Sequence, residues 1–213
     1  MIKVLLVDDH ELVRTGIRKL LDDAQDIEIV AEAASGEEAV RLAAERKPDV
    51  VLMDVKMPGM GGIEATRRMI RLVPGIGIIA LTAMETEPFP SQLHDAGARG
   101  YLTKSCPAVE VLEAIRTVNR GALYVESGIA REKMLAGWRK DEPNPFSELS
   151  SREMQVLLMI LEGQKNKAIS DFLNVSPKTV STYRQRVFDK LNVKTDVALT
   201  RLAYRWGILS DTP

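Results

Sequence analysis

The stretch VVLMDVKMP, residues 50–58, decides the fold. Four strand-forming apolar residues, Val50-Val51-Leu52-Met53, run straight into a carboxylate, Asp54. A charge at the end of a buried strand is costly unless something compensates it. The rest of the chain is therefore read for what gathers around Asp54.

Outward from this strand the pattern alternates. Lys3–Val7 is a β-branched and Leu-rich run stopped by Asp8-Asp9, and Leu12–Asp22 has helical spacing through Leu12, Val13, Gly16, Ile17, Leu20 and Leu21. Ile27–Ala31 reads as a second strand. Ser35-Gly36-Glu37-Glu38 then opens a helix that Pro48 stops, with Ser35 as N-cap and acids in its first turn. After strand three, Gly61-Gly62 lead into a helix from Ile63 to about Leu72. Gly77–Leu81 is the fourth strand, with a helix around Gln92–Ala96, and Gly100–Thr103 is the fifth. Pro107–Asn119 is the last helix, with Gly121 beyond its end. Near-continuous apolar strands alternating with helices imply a doubly wound, five-stranded parallel sheet buried on both faces.

In such sheets ligands bind outside the carboxyl ends of the strands. Strand one ends in Asp8-Asp9, strand three in Asp54, strand four in Thr82 and strand five in Lys104. Each alone has an ordinary reading as a turn residue, a cap or surface charge, but together they place three carboxylates, a hydroxyl and an ammonium on one rim. Carboxylates so close raise one another's pKa unless a cation joins them. Oxygen-only ligands without His or Cys suit Mg²⁺. A carboxylate held beside Mg²⁺ and a lysine is suited to attack a phosphoryl group.

The segments LLVDDH, LMDVKMPGMGG, ALTA and GYLTKS, in this order, resemble the receiver domain of two-component response regulators over residues 1–120. That domain has a flavodoxin-like (CheY-like) fold. The resemblance implies that Asp54 is the phosphoacceptor and that Asp8, Asp9, Asp54 and the Lys56 carbonyl bind one Mg²⁺. It also implies that Thr82 and Lys104 hold the phosphoryl group and that Tyr101 switches with Thr82.

Residues 149–213 change character. Over 1–120 there are 15 Lys/Arg against 19 Asp/Glu, whereas 149–210 hold 10 against 5, an acidic front and a basic tail. Ser150 or Ser151 caps the start of a helix that Gly163 ends, and Glu153, three after Ser150, closes a capping box. Lys167–Leu173 is a short second helix with Ala168, Ile169 and Leu173 inward. Asn174-Val175-Ser176-Pro177 then makes a tight turn into a polar, basic helix, Pro177–Leu191, with Val180, Val187 and Leu191 inward. Short helix, tight turn and polar helix form a helix-turn-helix, in an all-α domain. The segment closely resembles the NarL/LuxR-type DNA-binding domain, although Tyr183 and Ser181 stand where His and Lys are frequent.

The resemblance turns Ser181, Thr182 and Gln185 toward base edges. Lys165, Lys167, Lys178, Arg184, Arg186 and Lys194 are candidates for phosphate contact, with Thr179 beside them. A final helix, Asp196–Trp206, offers Val197, Leu202 and Trp206 as a pairing surface for a homodimer. Between the domains, 121–148 reads as a linker with a short helix over Gly128–Trp138 and a proline-punctuated stretch to Pro145.

The whole chain thus resembles a NarL/FixJ-type response regulator, most like the GacA/UvrY group. The resemblance implies a sensor histidine kinase, of the membrane hybrid kind, as phosphoryl donor and double-stranded promoter DNA as target. It implies a phosphoacceptor and transcription factor rather than a turnover enzyme. A stand-alone Mg²⁺ phosphohydrolase would want an acid two residues after Asp54, where Lys56 stands. A nicotinamide-binding module would want a Gly-rich turn after strand one. A constitutive DNA-binding protein with an inactive receiver would not need the complete set of rim residues. One cysteine, Cys106, excludes an intrachain disulfide, and two histidines exclude a His-rich metal centre. The short apolar core of MIKVLLVDDH and the lack of any membrane-length apolar run point to the cytoplasm.

Overall fold

All five expected strands form: β1 (Ile2–Val7), β2 (Ile27–Ala33), β3 (Val50–Asp54), β4 (Gly77–Thr82) and β5 (Gly100–Thr103). The structure is a computed structural model and describes residues 1–82, 89–126, 145–206 and 208–209. A sixth strand, β6 (Tyr124–Val125), lies within the stretch read as linker and extends the sheet beyond β5. Every pairing is parallel and the order is β2-β1-β3-β4-β5-β6. The expected helix over Gly128–Trp138 and most of the linker lie outside the described residues. The chain divides into two compact units, Met1–Glu85 with Leu93–Glu132 and Thr86–Gln92 with Lys133–Pro213.

In the first unit the strands are connected by α1 (Glu11–Asp22), α2 (Gly36–Arg46) and α3 (Gly62–Leu72), with α5 (Ala108–Asn119) following β5; α4 (Phe89–Asp95), which follows β4, is split by the division at Gln92/Leu93. Ser35 caps α2 as its position predicts, its Oγ accepting from Glu38 N at 3.2 Å. Val4–Val7 and Val50–Met53 are wholly buried, as unbroken apolar runs require. The edge strand β2 is only partly covered and can carry Glu28 and Glu32. Alternate residues of the central strands, such as Leu6, Leu52, Leu81 and Leu102, pack with Leu21 of α1 and with Val111, Ala114, Ile115 and Val118 of α5. From β1 the chain passes to β2 on one side and returns to β3 on the other. The strand order therefore reverses at the β1/β3 boundary, where such sheets open a binding crevice.

The loop after Asp54 is packed against backbone. A Cβ on Gly62 would lie 2.1 Å from the Asp54 carbonyl oxygen and 2.9 Å from Val55 Cα, so only glycine fits. Gly62→Ala is expected to lower stability by about 1–3 kcal/mol through overpacking, read as a fall in urea midpoint at unchanged slope.

The second unit contains a 3-10 turn (Pro145–Glu148), α6 (Ser151–Leu161), α7 (Asn166–Leu173), α8 (Pro177–Lys190) and α9 (Asp196–Arg205). The capping box closes as read: Ser150 Oγ accepts from Glu153 N at 3.3 Å, and Glu153 Oε2 accepts from Ser150 N at 2.8 Å. Lys190 reaches across from α8 to the same carboxylate at 2.7 Å. Burial disfavours the charge on Glu153, but the bonds from Lys190 and Ser150 outweigh it and hold its pKa below the usual value. Asn174 takes the left-handed conformation, φ 53°, and Ser176 Oγ accepts from Thr179 N at 3.1 Å to start α8. Phe146, Val156, Leu157, Ile169, Leu173, Val180, Val187, Leu199 and Ala203 fill the core. Ala168, expected inward, is exposed: its methyl lies off the side of α7 that Ile169 and Leu173 bury.

Candidate functional site

Register brings the rim together. Val7 is opposite Met53, Asp54 opposite Leu81, and Thr82 opposite Thr103, so the strand-end residues fall side by side. Lys104 Nζ donates to Asp54 Oδ2 at 2.8 Å and lies 2.7 Å from Asp8 Oδ2. The Lys104 backbone N–H is anchored on the Thr82 carbonyl at 2.8 Å. Lys56 enters through its backbone N–H, which donates to Asp54 Oδ1 at 3.2 Å. Asp8 and Asp54 are buried, as are Thr82 and Tyr101.

The electrostatics follow from this crowding. Burial pushes the Asp54 carboxyl up to about 6. The neighbouring Asp8 charge adds to the rise, while Lys104 and the Lys56 N–H restrain it. Burial also opposes the charge on Lys104, but its bonds to Asp54 and Asp8 outweigh this and hold its pKa above the usual value. Asp8 Oδ2 lies 2.7 Å from the Lys104 ammonium, and Asp9 Oδ1 stands 3.0 Å from His10 Nδ1. Both oxygens are buried, each with a single nitrogen beside it among the contacts described. Ligand atoms of Asp8, Asp9, His10 and Asp54 all lie within 4.8 Å of one another. Three carboxylates gathered this closely fit a hard divalent cation.

A cation at this cluster would bind the carboxylate form of Asp54, so binding would displace a proton where that group is still protonated. Titrating Mg²⁺ into weakly buffered protein is expected to release roughly half a proton per site near pH 6 and close to none at pH 8. Equal release at both values would show that Asp54 is not the titrating ligand.

Several contacts were not read from the sequence. His10 lies in the acidic cluster, its N–H donating to Asp8 Oδ1 at 2.8 Å; its position in LLVDDH, beside Asp9, was the available signal. Arg14 Nη1 donates to the Asp8 carbonyl at 2.7 Å. Glu37 Oε1 accepts from Met60 N at 2.8 Å and so pins the loop after β3.

On the second unit, Lys165, Lys167, Lys178, Ser181, Thr182, Gln185, Arg186 and Lys194 are all exposed on or beside α7 and α8, while Thr179 is half-buried. Gln185 Nε2 donates to Asp189 Oδ1 at 2.8 Å, and Ser181 Oγ accepts from Asn166 Nδ2 at 3.3 Å. Arg184 is engaged, paired with Asp196 and lying 5.2 Å from the centroid of the Phe188 ring. On α9, Val197 is 64% and Tyr204 46% exposed, seven residues apart on one face, whereas Leu202 and Trp206 are half-buried.

A doubly wound sheet with this acidic, lysine-closed rim, joined to a helix-turn-helix, is the architecture of a DNA-binding response regulator, and the chain belongs to that family. Residues 4–116 match the response regulator receiver domain and residues 147–203 the luxR family of bacterial regulatory proteins. The chain is 51% identical to the response regulator GacA of Pseudomonas syringae pv. syringae over 98% of both chains. It is 50% identical to the response regulator UvrY of Escherichia coli, over 98% of this chain and 96% of that one. Among solved structures it resembles RcsB of Salmonella enterica serovar Typhimurium bound to promoter rprA in the presence of the phosphomimetic BeF3−. That match has 27% identity and a TM-score of 0.68, and covers 96% of this chain and 99% of that one. Among the described residues no helix is long and apolar enough to cross a membrane.

Proposed function

We propose that Asp54 accepts a phosphoryl group from a sensor histidine kinase and that this shifts the protein toward a dimeric state that binds promoter DNA in the cytoplasm. The observation that carries the reading is the contact of Lys104 with both Asp54 and Asp8 within a cluster of close carboxylates. Asp54 Oδ attacks phosphorus, a P–O bond forms, and the P–N bond of the phosphohistidine breaks with its electron pair leaving on the imidazole. Lys104 and Thr82 receive the phosphoryl oxygens, and the surrounding burial limits water. Asp8, Asp9, Asp54 and the Lys56 carbonyl would hold one Mg²⁺, which when bound neutralises charge between the carboxylates and the phosphoryl oxygens. The protein turns over no external substrate beyond its own phosphoryl transfer and loss. The donor in this reading is a membrane hybrid kinase.

The domain division 1–120, 121–148 and 149–213 belongs to this reading, with β6 showing that the sheet borrows residues from the middle segment. The exposed Lys165, Lys167, Lys178, Arg186 and Lys194 meet phosphates, with Thr179 at the helix start. Arg184 does so after leaving Asp196, and Ser181, Thr182 and Gln185 meet bases. Incubation with Mg²⁺ and a small acyl phosphate, followed by intact-mass measurement, tests the core of the proposal. One phosphoryl adduct, located on Asp54 and dependent on Mg²⁺, is the expected result.

A further inference from the structure

β6 ends at Val125, and the next residue, Glu126, holds on to β5 three times. Its backbone N–H donates to the Tyr101 carbonyl at 3.1 Å. Its carboxylate accepts from Thr103 N at 2.7 Å and from Thr103 Oγ1 at 3.2 Å. Thr103 is buried, and its Oγ1 also lies 3.0 Å from Ser105 Oγ. Between Thr103 and Ser105 stands Lys104, whose ammonium reaches Asp54.

The pattern of these bonds is informative. With Tyr101 opposite Val125, a continued parallel ladder would send the Thr103 N–H to the backbone carbonyl of Glu126. The side-chain carboxylate takes that bond instead. Glu126 is therefore tied to β5 by rotatable side-chain bonds where a ladder bond would be fixed. Through its backbone the same residue is bonded to Tyr101, and it immediately precedes the segment that leads in sequence to the helix-turn-helix.

We propose that Glu126 is a latch that couples the state of Asp54 to the end of β6. This rests on the reading of Asp54 as phosphoacceptor. A phosphoryl group on Asp54 moves the negative charge outward from the carboxylate, so Lys104 re-seats. Thr103, one peptide away, then presents its N–H and Oγ1 differently to Glu126. A ligand shifts such a balance only through different contacts in the two states, and the Thr103–Glu126 bonds are contacts that can differ. The Lys104 backbone has its own anchor on Thr82, so the acceptor site stands without the latch.

The test uses the full chain as wild type, Glu126→Ala and Glu126→Gln, with and without acetyl phosphate and Mg²⁺. Intact mass reports the adduct, and hydrogen exchange reports peptides covering 99–106 and 120–130. Wild type is expected to change exchange in both peptides on phosphorylation. In Glu126→Ala the 99–106 peptide should exchange faster before phosphorylation. The adduct should still form, and the response of 120–130 should be lost. Glu126→Gln, which keeps an acceptor oxygen for the Thr103 N–H, should regain that response. A labelled Glu126→Ala whose 120–130 peptide responds like wild type overturns the latch alone. So does a labelled wild type that changes only at 99–106, or a Gln variant that protects 99–106 yet stays silent at 120–130. A wild type that gains no mass overturns the reading of Asp54 and the latch with it.

Discussion

Asp54→Asn is expected to stay at its unmodified mass after incubation with Mg²⁺ and an acyl phosphate, and yet to unfold at a higher temperature than wild type at pH 7. The first half follows from chemistry, since an amide oxygen is no nucleophile toward phosphorus under these conditions. The second follows from burial. The folded state raises the Asp54 pKa to about 6 from 3.8, so it holds that proton more tightly than the unfolded chain does. Stability from this group is therefore greatest in acid, falls as pH rises between about 4 and about 6, and stays low above that. A shift of this size corresponds to roughly 3 kcal/mol at neutral pH. Asn removes the buried charge and leaves Lys104 its contact with Asp8, so a gain of about 1–3 kcal/mol is expected. The gain should shrink toward zero below about pH 4, which thermal melts across pH would resolve. A mutant that still gains phosphoryl mass would move the acceptor elsewhere. One that is less stable at pH 7 would mean that Asp54 is a structural anion rather than a strained functional one.

The parts of this site that were legible from sequence share one property: each is punctuation on a strong local signal. Asp8-Asp9, Asp54, Thr82 and Lys104 close apolar runs whose parallel pairing was forced by their burial, so their meeting on one rim followed from topology. The same holds for Ser35, Ser150 and Ser176, whose capping bonds span three residues. What stayed illegible depends on partners far along the chain. Two residues of β6 carry no period to detect, and Glu126 and Glu37 each find their partners 23 residues away. Arg184, a candidate for phosphate contact by sequence, is paired with Asp196, twelve residues on. The outward face of α9 could not be chosen by hydrophobicity alone. Leu199 and Ala203 took the core, and Tyr204, half polar, was left outside beside Val197.

Phosphorylation is expected to convert a species that binds single DNA half-sites into one that prefers inverted repeats, with affinity rising about a hundredfold through avidity. A phosphoryl group adds roughly −1.5 to −2 charge, which repels DNA wherever the two come close, so its effect must pass through a second state of the protein. Two copies related by a two-fold axis present two α8 helices to successive major grooves, and symmetric half-sites follow from that geometry. Val197 and Tyr204 supply the outward apolar face on which the copies would meet. Val197→Glu should therefore leave half-site binding unchanged and remove most of the gain on inverted repeats. Gln185→Ala should relax base preference at a cost of roughly 1–3 kcal/mol on the preferred site. Lys178→Ala should weaken all sequences alike and flatten the salt dependence by about one phosphate's worth of counterion release. The measurements are sedimentation with and without acyl phosphate, and titration of inverted-repeat and half-site duplexes selected from a random pool. A phosphoprotein that sediments as a monomer on DNA and binds both duplexes equally would remove dimerisation from the mechanism. The adduct on Asp54 would then have to act by freeing a single helix-turn-helix.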